Sequence, residues 1–476
     1  MNRALALATL ALTACGACGN DEGTALTVEQ LQDPEACMSC HPKHTEQWMA
    51  SMHAYASEDP VFVAMNRRGQ RETHNGLGTF CVKCHAPMAV ELGLTQGFDF
   101  DPAALPARAK GVTCYFCHNV KSVAADHNNG LVLANDRTMR GGVKDPVAIG
   151  AHGAAYDKQM DAKLNQSEIC GACHDVTTPA PHDVPIERTF EEWKTTFFSQ
   201  ADPAHHLTCG SCHMSSTTGL IADVPGTPVK SRTNGFHEHL WPGIDQALTP
   251  FPGLDAMAAG IKRDLDGAIG VIGPAPLTSP VQPGGICLDP PGVISVRMDS
   301  IGTAHNWPSG SAQDRRAWLE VQAFDAANNV VFQSGVVGDR QDPDDVLATD
   351  PTLVGLWDRT FKDDGTPAHF FWEVAKVQPV TLKPPVTLDK NSPAFDHSMT
   401  ARLTVGPSFT QIDHITARVR IRPLSYALLN DLVASGDLAA DIPAQMKTLD
   451  IKGTMATWSK ATKGTGPATN TNCAPH

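Results

Sequence analysis

No run of basic residues occurs in the 476-residue chain, and its formal net charge is −14. Together these exclude the electrostatic footprint of a nucleic-acid binder. Long apolar stretches are lacking too: the run from Ala4 to Leu12 is too short to cross a bilayer. Tyrosine is scarce, at four residues, and only five of the 20 histidines lie beyond Pro250. Chemistry that depends on imidazole therefore belongs to the first half.

What is present is one pattern, Cys-x-x-Cys-His, five times between Cys37 and His213. It pairs Cys37 and Cys40 with His41, Cys81 and Cys84 with His85, Cys114 and Cys117 with His118, Cys170 and Cys173 with His174, and Cys209 and Cys212 with His213. Two thiols one helical turn apart add to the two vinyl groups of a porphyrin, while the next residue offers its imidazole to the iron as the proximal ligand. Zinc sites need no His after the second Cys, and disulfide frameworks need no His at all. The cofactor expected is haem c, five copies, covalently bound.

Residues 1–15 have Arg3, a short apolar run and Leu12-Thr13-Ala14-Cys15, and read as a signal peptide. Leu-Thr-Ala-Cys resembles the lipobox of bacterial lipoproteins, which implies lipidation at Cys15, a tether over residues 16–30 and anchoring in the periplasm or at the outer membrane or cell surface. Ordinary cleavage near Ala14 is the alternative. Cys18 has no assigned role. In an oxidising compartment Cys287 and Cys473 can pair as a disulfide.

The composition divides the chain into a haem domain over 31–252, a Pro- and Gly-rich linker over 273–285, a second domain over 286–423 and a C-terminal region over 424–476. Helical spacing of Trp48, Met52 and Tyr55 predicts a helix from Pro42 to Tyr55, and Phe190, Trp193 and Phe197 predict another from Thr189 to Phe198. Otherwise the haem half should be short helices and loops. In the second domain, Ala317–Asp325 and Val330–Ser334 flank a turn at Ala326 to Asn329 and predict a hairpin. Met399, Ala401, Leu403 and Val405 alternate with polar residues, as do Ile415, Ala417, Val419 and Ile421 with Thr416 and three arginines. Residues 424–433 and 439–449 read as terminal helices. The expected class is therefore α+β and multidomain: a mostly helical, irregular multihaem cytochrome c domain, then an antiparallel β-sandwich and short C-terminal helices.

Ten histidines before Pro250 lie outside the motifs, enough to give every iron a second imidazole. His44 is one turn from His41 on the same face and cannot reach round to the far side of that haem. His53, 12 residues beyond His41, would be about 18 Å away along a continuous helix and must serve another haem. Met88 and Met214 sit too close to their own proximal His to serve it.

Several segments resemble the bacterial multihaem cytochromes related to the tetrahaem electron carriers of ammonia oxidisers. They are Trp48 with Ser51-Met52-His53-Ala54, Cys81 to Met88, Gly111 to Cys114, Ala151-His152-Gly153, Ser167 to Val176, Pro185 to Phe190 with Glu192-Trp193, and Cys212-His213-Met214. The resemblance implies that His53 and His152 are distal ligands, and that His239, rather than His237, is a further one. For His74, His127, His182, His205 and His206 it offers little. His305-Asn306-Trp307-Pro308-Ser309-Gly310 and Arg315 to Val321 resemble the β-sandwich that follows the haem region in some relatives. His305 is then either a distal ligand donated across the domain interface or a hydrogen-bonded loop residue. The distal candidates are thus His53, His152, His239, His237, His305 and His74.

The leading expectation is electron transfer, a relay from membrane or periplasmic donors to an outer acceptor. Acidity favours redox partners with basic faces. The alternatives are an enzyme with one five-coordinate haem acting on a small nitrogen or sulfur compound, and a subunit of an extracellular haem filament. No Cys-x-x-Cys-Lys motif, the mark of the active haem in many pentahaem nitrite reductases, is present.

Overall fold

The computed structural model describes residues 26–147, 150–152, 166–200, 202–224, 228–271, 285–289, 291–300 and 302–461. The expected signal peptide, Cys15, nearly all of the linker and Cys473 lie outside the described residues.

The haem half is built from short helices, many of them a single turn. Each motif is itself such a turn, closed by the histidine N–H on the first cysteine's carbonyl, as in His41 N to Cys37 O at 2.8 Å and His174 N to Cys170 O at 2.9 Å. Threonine caps two of them: Thr113 accepts from Phe116 N, and Thr208 forms a reciprocal capping box with Ser211. Among the described residues before Gly253, only Pro60–Glu72 exceeds eight residues. Asp59 starts it by accepting from Val61 N, with Pro60 in the first turn.

That helix carries two apolar faces. Phe62 and Val63 pack with Val82, Ala86 and Phe100 near the second motif. Val61 and Ala64 pack with Tyr426, Leu429 and Leu432 of the C-terminal helix Tyr426–Ala434. The end of the chain therefore folds back on the haem half, and Arg71 clamps it through a two-pronged pair with Asp437 at 2.7 Å.

The single helix expected from Pro42 to Tyr55 is two, Pro42–Met49 and Met52–Tyr55. Ser51 separates them: its backbone is extended, its hydroxyl donates to Trp48 O and accepts from Ala54 N. The break re-aims His53. Thr189 to Phe198 likewise divides into a helix, Thr189–Lys194, and a 3-10 turn, Phe197–Ser199. A helix over Leu254–Ala268 was not anticipated, although Met257, Ile261 and Leu265 recur at helical spacing on its buried face.

Downstream, two antiparallel sheets share one core. In the larger, Arg316–Phe324 and His414–Arg422 pair along their whole length, from Arg316 opposite Arg422 to Phe324 opposite His414. In the smaller, Val293–Asp299 pairs with Met399–Thr404 on one side and with Ile286–Asp289 and Gly270–Val271 on the other. Ile294, Val296, Ala401 and Leu403 of one sheet meet Leu319, Val321, Val419 and Ile421 of the other. The arginine face is covered rather than open: Arg418 and Arg420 both pair with Glu320 and Asp450, and Arg422 is buried against Trp318 and Tyr426. Of the two terminal helices expected, the second is a 3-10 turn, Ile442–Gln445, followed by strands Leu449–Asp450 and Ala456–Ser459 that extend the larger sheet. No helix among the described residues is long and apolar enough to cross a membrane.

Candidate haem sites

Four of the five motif histidines stand opposite a second imidazole. His41 is 5.9 Å from His152 between ring centres, His118 is 6.2 Å from His239, and His213 is 6.3 Å from His305, with planes 12–14° apart. His174 is 6.1 Å from His53 with planes at 83°. A metal held between two imidazoles by bonds of about 2.0–2.1 Å places the ring centres about 6 Å apart. The residues present therefore fit an iron in each gap.

The rings are also prepared as ligands. Nδ1 lies within hydrogen-bond distance of a backbone carbonyl in His41 (Ile221, 2.7 Å), His118 (Arg140, 2.6 Å), His213 (Pro242, 2.9 Å), His239 (His237, 2.9 Å) and His305 (Asn306, 2.8 Å). A neutral imidazole donating there presents Nε2 as the free lone pair. Burial favours that neutral form. It lowers His41, His118 and His174, takes His305 down to about 4 and, helped by neighbouring imidazoles, His53 down to about 3.

His85 differs. Its Nδ1 is 3.2 Å from Ala56 O, but its ring stacks flat on Phe62 at 4.1 Å, and among the described residues no imidazole stands opposite it. His44 is also about one iron-spanning distance from His41, at 6.1 Å, yet both rings reach the carbonyl of Ile221. That places His44 on the Nδ1 side of His41, away from the iron. The other candidates lie elsewhere: His74 is an exposed turn residue with φ of 54°, and His237 is exposed with its ring on Met214 O. His127, His205 and His206 are exposed as well, and His182 approaches Asp363 at 3.6 Å.

The cysteines bring the motifs together. Cys37 lies beside Cys114, Cys84 beside Cys173, and Cys170 beside Cys209. Cys117 is within electrostatic reach of Cys170 and Cys173. First and third motifs are thus neighbours, and the fourth adjoins the second, third and fifth. Cys40 and Cys287 are each disulfide-bonded.

Packing between the motif turns is tight at Gly171. A Cβ there would lie 2.3 Å from Cγ of Phe190, which stacks on Trp193 at 5.8 Å. Gly171→Ala is expected to cost about 1–3 kcal/mol through overpacking. Thermal melting of the loaded protein checks it; an unchanged midpoint would show that Phe190 yields freely.

Several site residues carry no signature of their own in the sequence. Trp241 sets its ring edge-on between His53 and His239, at 4.8 and 4.9 Å. Asp245 takes both guanidinium nitrogens of Arg315, at 2.5 and 2.8 Å, and its charge reaches His85 and His174. Glu192 is half-buried against the loop that carries His305, and desolvation there pushes its carboxyl up to about 7. Trp241 lies in the His237 to Gly243 stretch that resembles a ligand-bearing segment of the family, and Glu192 lies in another resembling segment; for Asp245 only position relative to a motif in space would have marked it.

Asp314, 7% exposed beside Arg315 and Arg316, is pushed by burial up to about 7. An unfolded carboxyl titrates near about 3.9. The folded state thus holds a proton that the unfolded state has lost, and stability falls as pH rises from about 4 to about 7. Asp314→Asn removes that slope. Its stability relative to the parent is expected to grow by about 2 kcal/mol between pH 5 and 8, read by unfolding at each pH; a constant difference would contradict it.

Residues 36–119, which hold three of the motifs, match the family model described as cytochrome c554 and c-prime. A penta-haem cytochrome c552 from Thermochromatium tepidum superposes with a TM-score of 0.58 at 18% identity, over 91% of this chain and 100% of that one. The fold is that of a multihaem cytochrome c. The match over residues 36–119 and the motif chemistry together support covalently bound haem c, a cofactor whose chemistry is one-electron transfer. No curated protein matches the sequence.

Proposed function

We propose that the chain is a five-haem electron relay. The observation that carries this is the closeness of cysteines of different motifs, three pairs adjacent and Cys117 within electrostatic reach of Cys170 and Cys173, which relates all five attachment sites. Haem supplies a one-electron centre at each site. The protein's part is to hold each iron between imidazoles and to keep neighbouring sites close. In this reading His152, His53, His239 and His305 are the distal ligands opposite His41, His174, His118 and His213. Paired neutral imidazoles leave no position for substrate at those irons and set low potentials. The N-terminal segment anchors the relay by a lipid on Cys15, and its partners are redox proteins with basic docking faces.

The test is to inject one electron by pulse radiolysis and follow its spread. Redistribution among several haems before any second-order step supports a relay. An electron that stays on the haem first reduced would refute it. The lack of an imidazole opposite His85 among the described residues favours a second reading in which that one haem binds a small exogenous ligand and does chemistry while the other four supply electrons.

A further inference from the structure

We propose that Glu192 is the positioning residue for the fifth motif: from the haem domain it grips the 305–310 loop of the β domain and so sets His305 opposite His213. This rests on the reading of His305 as that iron's distal ligand.

The grip is built from neutral donors on one carboxylate. Oε1 accepts from Asn306 Nδ2 at 2.7 Å, and Oε2 accepts from Asn306 N at 3.2 Å and Ser309 Oγ at 2.6 Å. One turn earlier on the same helix face, Thr189 Oγ1 is 2.8 Å from Ser309 Oγ and accepts from Gly310 N at 3.0 Å. Glu187 accepts from Ser311 Oγ. Three residues of the Glu187–Glu192 segment therefore hold four consecutive polar anchors of the loop. From the other side Trp307 is tied to Leu382 by two backbone hydrogen bonds, at 2.9 and 2.8 Å.

Asn306 connects this grip to the metal position. Its amide N–H and side chain are held by Glu192, and its carbonyl lies 2.8 Å from His305 Nδ1. Partners in the shell beyond a ligand orient its ring and tune its basicity, so displacing Asn306 turns or frees His305. Among the described residues Glu192 forms no salt bridge, although Lys383 is within electrostatic reach: its hydrogen-bond partners are an amide, a peptide N–H and a hydroxyl. A half-buried carboxylate on neutral donors costs stability that an apolar contact would not. Its placement on the ligand's own neighbour accounts for it.

The test uses the full-length, haem-loaded protein with Glu192→Ala, Glu192→Gln, Ser309→Ala and His305→Ala, read by electron paramagnetic resonance and potentiometry. Glu192→Ala is expected to remove or broaden the low-spin signal of one haem of the five, the same signal that His305→Ala removes, with the others unchanged. Glu192→Gln, which keeps the side chain's shape, is expected to retain that signal but, above about pH 7 where the parent carboxyl is ionised, to raise the haem's potential, because the nearby negative charge is gone. Ser309→Ala, which deletes one donor, should move the potential by less. Were Glu192→Ala and Glu192→Gln to leave that haem's g-values and potential as in the parent while the unfolding midpoint drops, Glu192 would be structural only and the proposal overturned. If instead His305→Ala leaves the low-spin count intact, the ligand reading itself fails, whatever Glu192 does. The unchanged haems report folding in every variant.

Discussion

In the fully loaded, oxidised protein, four low-spin ferric haems and one high-spin ferric haem are expected, with the high-spin signal belonging to the Cys81–His85 motif. Four motif histidines have a second imidazole 5.9–6.3 Å away between ring centres, and His85 has Phe62 stacked on its ring instead. Plane angles sharpen the expectation. Near-parallel imidazoles at 12–14° should give three rhombic low-spin signals, whereas the His53–His174 pair at 83° should give one strongly anisotropic signal. Added cyanide should convert the high-spin fifth and leave the other four. Changing His85 itself removes that site's one imidazole among the described residues, and Phe62 packs on the face of the His85 ring rather than across from it, so cyanide binding to the parent protein is the cleaner readout. Five low-spin haems at all concentrations would remove the enzymatic reading. Five that decay to four on dilution would instead point to a ligand donated by another copy, as the filament alternative requires.

The attachment sites were legible in the sequence because their chemistry is local: the two thiols and the proximal imidazole of each lie within one helical turn, and spacing alone defines them. The distal side is not local. His239 and His237 are two residues apart and cannot be separated by spacing; what separates them is that His237 ends a strand with its ring on Met214 O, while Leu240, packed with Met257 and Ile261, fixes the loop after it. The helix that makes this contact, Leu254–Ala268, was itself missed, since it lies between the domain boundaries that composition suggests. His53 illustrates the same limit. Its spacing from His41 is helical, but Ser51 breaks the helix by satisfying the backbone locally, and tertiary packing then carries the ring to His174. His305 had two readings, hydrogen-bonded loop residue or ring facing a haem. The structure gives it the hydrogen bond of a loop residue, on Nδ1, and sets its ring 6.3 Å from that of His213. In the β domain, alternation marked the core face of His414–Arg422 correctly, while the arginines on its other face found buried partners that no periodicity reports.

The largest kinetic effect is expected at the fourth motif. Its Cys170 touches Cys209 of the fifth, its Cys173 touches Cys84 of the second, and both lie within reach of Cys117 of the third. The first motif joins the set through the third, by Cys37 and Cys114. Along these cysteine neighbours, the links between the first and third motifs on one side and the second and fifth on the other run through the fourth. Electron tunnelling weakens exponentially with the gap, so a detour past this junction is slow. Deleting its cysteines would also remove a large apolar group from the core, which makes His53→Met the better probe: the haem stays attached, and a methionine ligand raises its potential. The junction then becomes a trap. Electrons delivered at the first motif should collect there, with transfer onward to the fifth slowed by at least about tenfold, the factor that a 1.4 kcal/mol uphill step imposes at 25 °C. His152→Met, the same change at an end of the network, should leave exchange among the second, fourth and fifth haems as it was. Equal slowing by both variants would mean that the fourth motif is no junction, and that some route between the two groups bypasses Cys170 and Cys173.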